Sequence, residues 1–186
     1  SQPADGYTWF MAGFSNLAWN PLLYKNISYR NADLEGVAIF ADTPFVSVTS
    51  PSLGVKDFKA FEALVKSQPN KYTYASAGIG NSTHLSTELV KQKTGLQLQH
   101  SPFNGAGASV SVMNGDTPFM TIPPGGIMSL IKTHKLVPLA VTGSVRLPAL
   151  PDVPTYKELG YDIDVPGWYS VVVRKGVPKD VIAKVN

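Results

Sequence analysis

Residues 71–89, KYTYASAGIGNSTHLSTEL, restrict what this chain can become more than any other stretch. Tyr72-Thr73-Tyr74-Ala75 is a run of aromatic and β-branched side chains that favours a strand. Ser76-Ala77-Gly78-Ile79-Gly80 follows, and glycine, having no Cβ, lets the backbone turn through positive φ. Asn81, Ser82 or Thr83 then caps a helix whose Leu85 and Leu89 lie one turn apart. Strand, glycine loop and helix start in that order present backbone N–H groups at the positive end of a helix dipole, which is an anion site. The plain alternative is a βα turn that binds nothing.

Two nucleotide readings fail on the residues. A dinucleotide fingerprint needs a third glycine three positions after Gly80 and an acidic residue roughly twenty further on, where Thr83 and His100 stand. A phosphate-binding P-loop needs Gly-Lys-Ser/Thr, which is absent. Gly80-Asn81-Ser82-Thr83-His84 half resembles a nucleophile elbow, with His84 in place of the closing glycine. A small α/β hydrolase using Ser82 and His84 is therefore the alternative to anion binding, although adjacent turns of one helix align the two side chains poorly and no third group orients them. His84, His100 and His134 have no metal-ligand spacing, so neither a metal nor another cofactor is expected.

Charge is sparse, at 16% of residues against about 25% in typical globular chains. The net charge of +3 is spread along the sequence, which excludes a nucleic-acid stripe. Cysteine is absent, so thiolate metal sites, disulfides and cysteine nucleophiles fall away together, a composition that suits an extracytoplasmic protein. No apolar run approaches the roughly eighteen residues that span a membrane, and no signal peptide is visible. The start at Ser1 without methionine, and the end at Asn186 inside an apparent helix, predict a longer natural chain.

Taken in order, residues 7–14 form a nearly continuous apolar run, the pattern of a strand buried on both faces. Ser15 and Asn16 stand at its carboxyl end, where open α/β sheets gather ligands; alternatively they begin a helical turn over 17–23. Residues 36–49 give two strand segments parted by Asp42-Thr43-Pro44. An amphipathic helix follows, with Val55, Phe58, Phe61, Leu64 and Val65 on one face. After a strand at 96–101, Pro102-Phe103-Asn104-Gly105-Ala106-Gly107 is a second glycine-rich turn opening a helix to Met113, with Asn114-Gly115 as its left-handed cap. Two such junctions in succession predict parallel strands joined by right-handed crossovers, their helix N-termini facing one way. Strands at 117–122, 136–142 and 167–173, short helices at 127–133 and from Thr155 to Gly160, and a helix opened by Pro178 complete the chain. Arg146 is expected to pair with Asp152 or Glu158.

Several landmarks recur in a fixed order: Asp5-Gly6-Tyr7-Thr8, residues 72–84, Pro102-Phe103-Asn104-Gly105, Ala140-Val141-Thr142 with Arg146, Leu150-Pro151-Asp152-Val153-Pro154-Thr155 with Glu158 and Gly160, and Trp168. In this order and spacing the chain resembles the Bug-type solute receptors of tripartite tricarboxylate transporters. The resemblance implies a two-lobed α/β protein of the type II, Venus-flytrap periplasmic binding class, with lobe one incomplete here. It divides the chain into 1–50 (lobe one), 51–165 (lobe two) and 166–186 (return to lobe one), with hinges near Val46 and Trp168.

The same resemblance implies capture of a small carboxylate between the lobes, for uptake or sensing, by a periplasmic, monomeric, non-enzymatic protein that meets membrane transporter subunits. The contact residues implied are Ser76, Ala77, Gly78, Gly80, Asn81, Ser82, Thr83, His84, Phe103, Asn104 and Gly105 on lobe two. Phe14, Ser15 and Asn16 face them from lobe one, with Thr121, Ile122 and Trp168 as further candidates. Phe103-Asn104 stands where the family commonly has tyrosine and lysine. No Lys or Arg lies between Tyr72 and Val90 or between Gln97 and Ile131. An anion there must be met by oriented N–H groups and hydroxyls, and His84, in a first helical turn, is expected to be neutral.

Overall fold

The computed structural model describes residues 2–186; Ser1, the first residue of the expected lobe one, lies outside them. In chain order the strands are β1 (Trp9–Gly13), β2 (Leu34–Asp42), β3 (Val46–Thr49), β4 (Thr73–Ser76), β5 (Gln99–Pro102), β6 (Phe119–Ile122), β7 (Val137–Val141) and β8 (Trp168–Arg174). The helices are α1 (Asn20–Leu23), α2 (Phe58–Ser67), α3 (Ser82–Thr94), α4 (Gly107–Asn114), α5 (Met128–Lys132) and α6 (Lys179–Ala183). They fall into two compact units: the residues up to Asp42 with Gly167–Asn186, and Thr43–Pro166. The first division lies at Asp42/Thr43 rather than after Ser50, because β3 pairs with β6 and β7 in the larger unit.

The larger unit is an α/β layer built on a sheet of order β5-β4-β6-β3-β7. β4 runs parallel to β5 and β6, whereas β3 is antiparallel to both of its neighbours. One face packs Val46, Val48, Ala75, Met120 and Val141 against Ala108 and Val112 of α4 and Ile127 and Ile131 around α5. An aromatic cluster forms where α2 packs. Asp57 caps α2 by accepting the Ala60 N–H at 2.8 Å, and the helix buries Phe58, Phe61 and Val65. Phe61 stacks on Phe119 at 4.7 Å, and Phe58 meets Tyr156 edge-on at 5.0 Å. Val55, expected on this helix, precedes its cap. Arg146 pairs with Glu158 at 3.0 Å, and Glu158 also accepts the Thr155 N–H while Thr155 Oγ1 accepts the Glu158 N–H. That reciprocal pair closes a turn where the sequence predicts a short helix.

The smaller unit is an antiparallel sheet of order β1-β8-β2. Val37, Val173 and Val177 form its core with Trp9, Val171, Val181 and Ile182. Within this chain β1 lies at the edge of its sheet, with Ala12 buried and Met11 68% exposed. In β2, register shifts between Gly36/Ala38 and Ile39/Ala41 break the alternation, so consecutive Ile39 and Phe40 are both exposed. Residues Ser15–Trp19 form a π-helical turn continued by α1.

α4 ends as the sequence predicts, on Gly115 at φ +88°. A Cβ there would stand 2.7 Å from Ser52 Oγ as well as in a left-handed backbone, whereas one at Gly125 would meet nothing within 4 Å. Gly115→Ala is expected to destabilise the protein by about 1–2 kcal/mol, and Gly125→Ala by no more than about 0.5 kcal/mol, in urea unfolding monitored by circular dichroism.

Candidate functional site

In-register parallel pairing places Tyr74 beside His100 and Ser76 beside Pro102, so the two glycine loops leave the same end of the sheet. The Phe103 N–H donates to the Ser76 carbonyl at 2.9 Å and ties the loops together. Gly78 and Gly80 take φ +131° and +76°, values that require glycine. Asn81 caps α3, its Oδ1 accepting the Thr83 N–H at 3.1 Å.

The first loop does not leave its donors open as the sequence predicts. The Ala77 N–H goes to Thr83 Oγ1 at 2.8 Å, Gly78 N–H to Ser76 Oγ at 3.2 Å, and Gly80 N–H to His84 Nδ1 at 3.1 Å. Polar side chains within hydrogen-bond reach compete for those groups, which a sequence pattern of glycines does not reveal. The second loop is different. Asn104, Gly105, Ala106 and Gly107 are exposed, and among the described residues the N–H groups of Asn104, Gly105 and Ala106 have no acceptor; α4 starts there without a side-chain cap.

Beneath the first loop lies a stack that sequence reasoning missed. His100 sits between Tyr74, at 4.8 Å, and His84, at 4.1 Å, with ring planes 14° and 15° apart. His100 Nε2 meets Ser76 Oγ at 2.7 Å. Tyr74 donates to Glu88, which pairs with Lys91 at 2.7 Å, and Lys91 Nζ lies 5.0 Å from the Tyr74 ring centre. Burial lowers the pKa of both histidines; Glu88 opposes the shift at His84, and His84 itself deepens it at His100. Burial and the bond to Glu88 push the Tyr74 phenol up, so it stays protonated. The missed signal is strand alternation: once β4 and β5 are parallel, Tyr74, Ser76 and His100 share a face.

The Ser82–His84 arrangement of a hydrolase does not form. Ser82 Oγ donates to Asn81 Oδ1 at 3.2 Å, and His84 Nδ1 receives Gly80. Thr121 lies in the sheet core, fully buried, with Oγ1 2.9 Å from Ser47 Oγ, and so does not reach the loops. In the smaller unit, Phe14 packs edge-on against Trp19 at 4.7 Å and Trp168 at 5.7 Å. Ser15 begins the π-helical turn, and Asn16 Oδ1 accepts the Gly13 N–H at 3.0 Å. The described residues hold no group of three or more His, Cys, Asp or Glu able to take a metal.

The sequence matches, over residues 1–186, the family described as tripartite tricarboxylate transporter family receptor. The chain belongs to that family. A UPF0065 protein of Bordetella pertussis is 28% identical over 98% of this receptor-family chain and 57% of its own length. Among solved structures, a periplasmic transporter shares 33% identity with a TM-score of 0.93, over 99% of this chain and 63% of that one. An R. palustris protein solved with adipate shares 28% at 0.94, over 100% and 63%. The periplasmic binding protein BugD shares 29% at 0.90, over 100% and 62%. The fold is therefore the α/β fold of periplasmic binding proteins, and the chain spans less than two thirds of each of these relatives.

Two outcomes follow for this receptor-family site. Thr83→Val keeps the shape but strands the Ala77 N–H beside a residue only 4% exposed, and is expected to cost about 1–3 kcal/mol in urea unfolding. Because folding lowers both histidine pKa values, the unfolded chain binds more protons below the free-histidine value of about 6.5. Stability is present in full above that pH and falls as acid takes it toward the folded-state values. Glu158, held at about 2 by Arg146 and the Thr155 N–H, adds a second loss below the ordinary carboxylate range. Unfolding midpoints measured in steps of pH check both windows, and replacing His84 and His100 together flattens the first.

Proposed function

We propose that this chain is the carboxylate-recognising part of an extracytoplasmic solute receptor serving tripartite tricarboxylate-type uptake or sensing. The observation that carries the reading is the side-by-side placement of two glycine loops at the carboxyl ends of parallel β4 and β5, each opening a helix. The α3 and α4 N-termini bring partial positive charge to one end of the sheet, in a neighbourhood with no Lys or Arg on either loop. Carboxylate is the matching ligand chemistry, and adipate in the R. palustris relative supports it.

The residues assigned to the ligand are Ser76, Ala77, Gly78, Gly80, Asn81, Ser82, Thr83 and His84 of the first loop and Phe103, Asn104 and Gly105 of the second. Phe14, Ser15, Asn16 and Trp168 are assigned as contacts from the smaller unit. Thr121 is not retained. The protein acts in the periplasm, as a monomer that hands its ligand to membrane subunits of the transporter, and performs no chemistry on it. The periplasmic character of the relatives supports the location.

The test is thermal unfolding of the protein in its full natural length against adipate, malate, citrate and benzoate. A true ligand at a hundred times its Kd is expected to add about 2.7 kcal/mol, a rise of roughly 5–10 °C, and to be recovered chemically unchanged. No shift with any carboxylate, or conversion of the added compound, overturns the reading.

A further inference from the structure

The stack under the first loop contains an acceptor that an anion would have to displace. Gly80, at φ +76°, aims its N–H at His84 Nδ1, 3.1 Å away, and that bond fixes the neutral ring with its proton on Nε2. The ring cannot swing aside freely, because it stands in the stack with His100 at 4.1 Å and, beyond it, Tyr74. The same Nδ1 is where an added proton must go, since Nε2 already carries one. Protonation therefore removes the acceptor from Gly80 and places a positive charge beside the freed donor.

We propose that His84 is a proton-operated competitor for the Gly80 N–H: neutral, it occupies that donor; protonated, it releases it, so that anion capture at the loop is coupled to proton uptake. The release rests on the geometry alone, and its consequence for anions rests on the carboxylate reading above.

The groups facing the ring set how the device works. From α3, Glu88 favours the charged ring and Lys91 disfavours it, and these two are paired with each other at 2.7 Å. From β4 come the Tyr74 phenol, bonded to Glu88, and the Ser76 hydroxyl, bonded to His100. From β5, His100 stands close enough that two charged imidazoles would repel, so the pair takes up one proton before a second. The position in the first turn of α3 opposes charge as well. Burial first, then Lys91, the neighbouring imidazole and the helix N-terminus outweigh Glu88 and hold the ring toward its neutral form, and an anion accepting from Gly80 is the added charge that tips it toward imidazolium.

The experiment is a pH titration by nuclear magnetic resonance on isotope-labelled protein of full natural length, from about pH 8 to about pH 4.5, across the imidazole range. The Gly80 amide and the ring nitrogens of His84 and His100 are followed without ligand and then with saturating adipate. The expected result is a Gly80 amide that moves with the midpoint of His84, and a midpoint that rises by about one unit with adipate. That rise corresponds to roughly tenfold tighter adipate binding in the acid form. His84→Phe, which keeps a ring in the stack without an acceptor, should leave the Gly80 amide unresponsive over this range and reduce the pH dependence of adipate affinity to that of adipate's own carboxyl groups, which titrate at its acid end. A Gly80 amide that follows His100, or no histidine, overturns the release. An amide that follows His84 with adipate bound and no midpoint shift overturns the coupling. Failure of adipate to bind at either end of the range strikes the carboxylate reading instead and leaves the amide release standing.

Discussion

The register between β4 and β5 is the constraint on which the rest of the site depends. Tyr74, Ser76 and His100 share one face because side chains alternate along each strand, and α3 covers that face with His84, Glu88 and Lys91. A slip of one residue would turn His100 to the opposite face, separate it from Ser76 Oγ and empty the middle of the stack. It would also shift Phe103, whose N–H ties the second loop to the Ser76 carbonyl. Position, ring stacking and the geometry of both glycine loops thus follow from a single pairing.

The two loops are not equivalent donors. Where the first loop already spends an N–H on Thr83, Ser76 or His84, an incoming anion gains only the difference between two bonds. A neutral hydrogen bond contributes about 0.5–1.5 kcal/mol and one to a charged partner about 1.5–3, so each exchange leaves roughly 1–1.5 kcal/mol. A donor of the second loop, at Asn104, Gly105 or Ala106, gives up no bond of that kind. Its cost is instead the ordering of an exposed turn. On the carboxylate reading proposed above, the first loop would contribute shape and selectivity, and the second more attraction per contact.

Much of this was legible in sequence. The glycine loops, the parallel β4–β5 pair, the Asp42-Thr43-Pro44 break, the Gly115 cap and the Arg146–Glu158 pair all rest on local rules: turn chemistry, capping, and charges a short way apart in sequence. What escaped was whatever depends on contacts between distant segments. His100 looked idle because its partners, Ser76 and Tyr74, lie more than twenty residues away and meet it only across the sheet. The bulges of β2 likewise hide in a sequence that looks continuous.

Thr121 shows why residue type and strand position together are still insufficient evidence for a binding role. It sits near the carboxyl end of β6, where ligands gather in open sheets, and carries a hydroxyl suited to an anion. Its Oγ1 instead meets Ser47 Oγ, which accepts in turn from Tyr156 at 2.6 Å, all three side chains being fully buried. Removing one member of such a chain strands its neighbour's polar atom away from water, at a cost comparable to a ligand contact. The chain links β3, β6 and the turn that follows β7, and its geometry is satisfied only in the observed register. These hydroxyls make the sheet specific to one pairing, and that pairing in turn fixes where the two glycine loops leave the sheet.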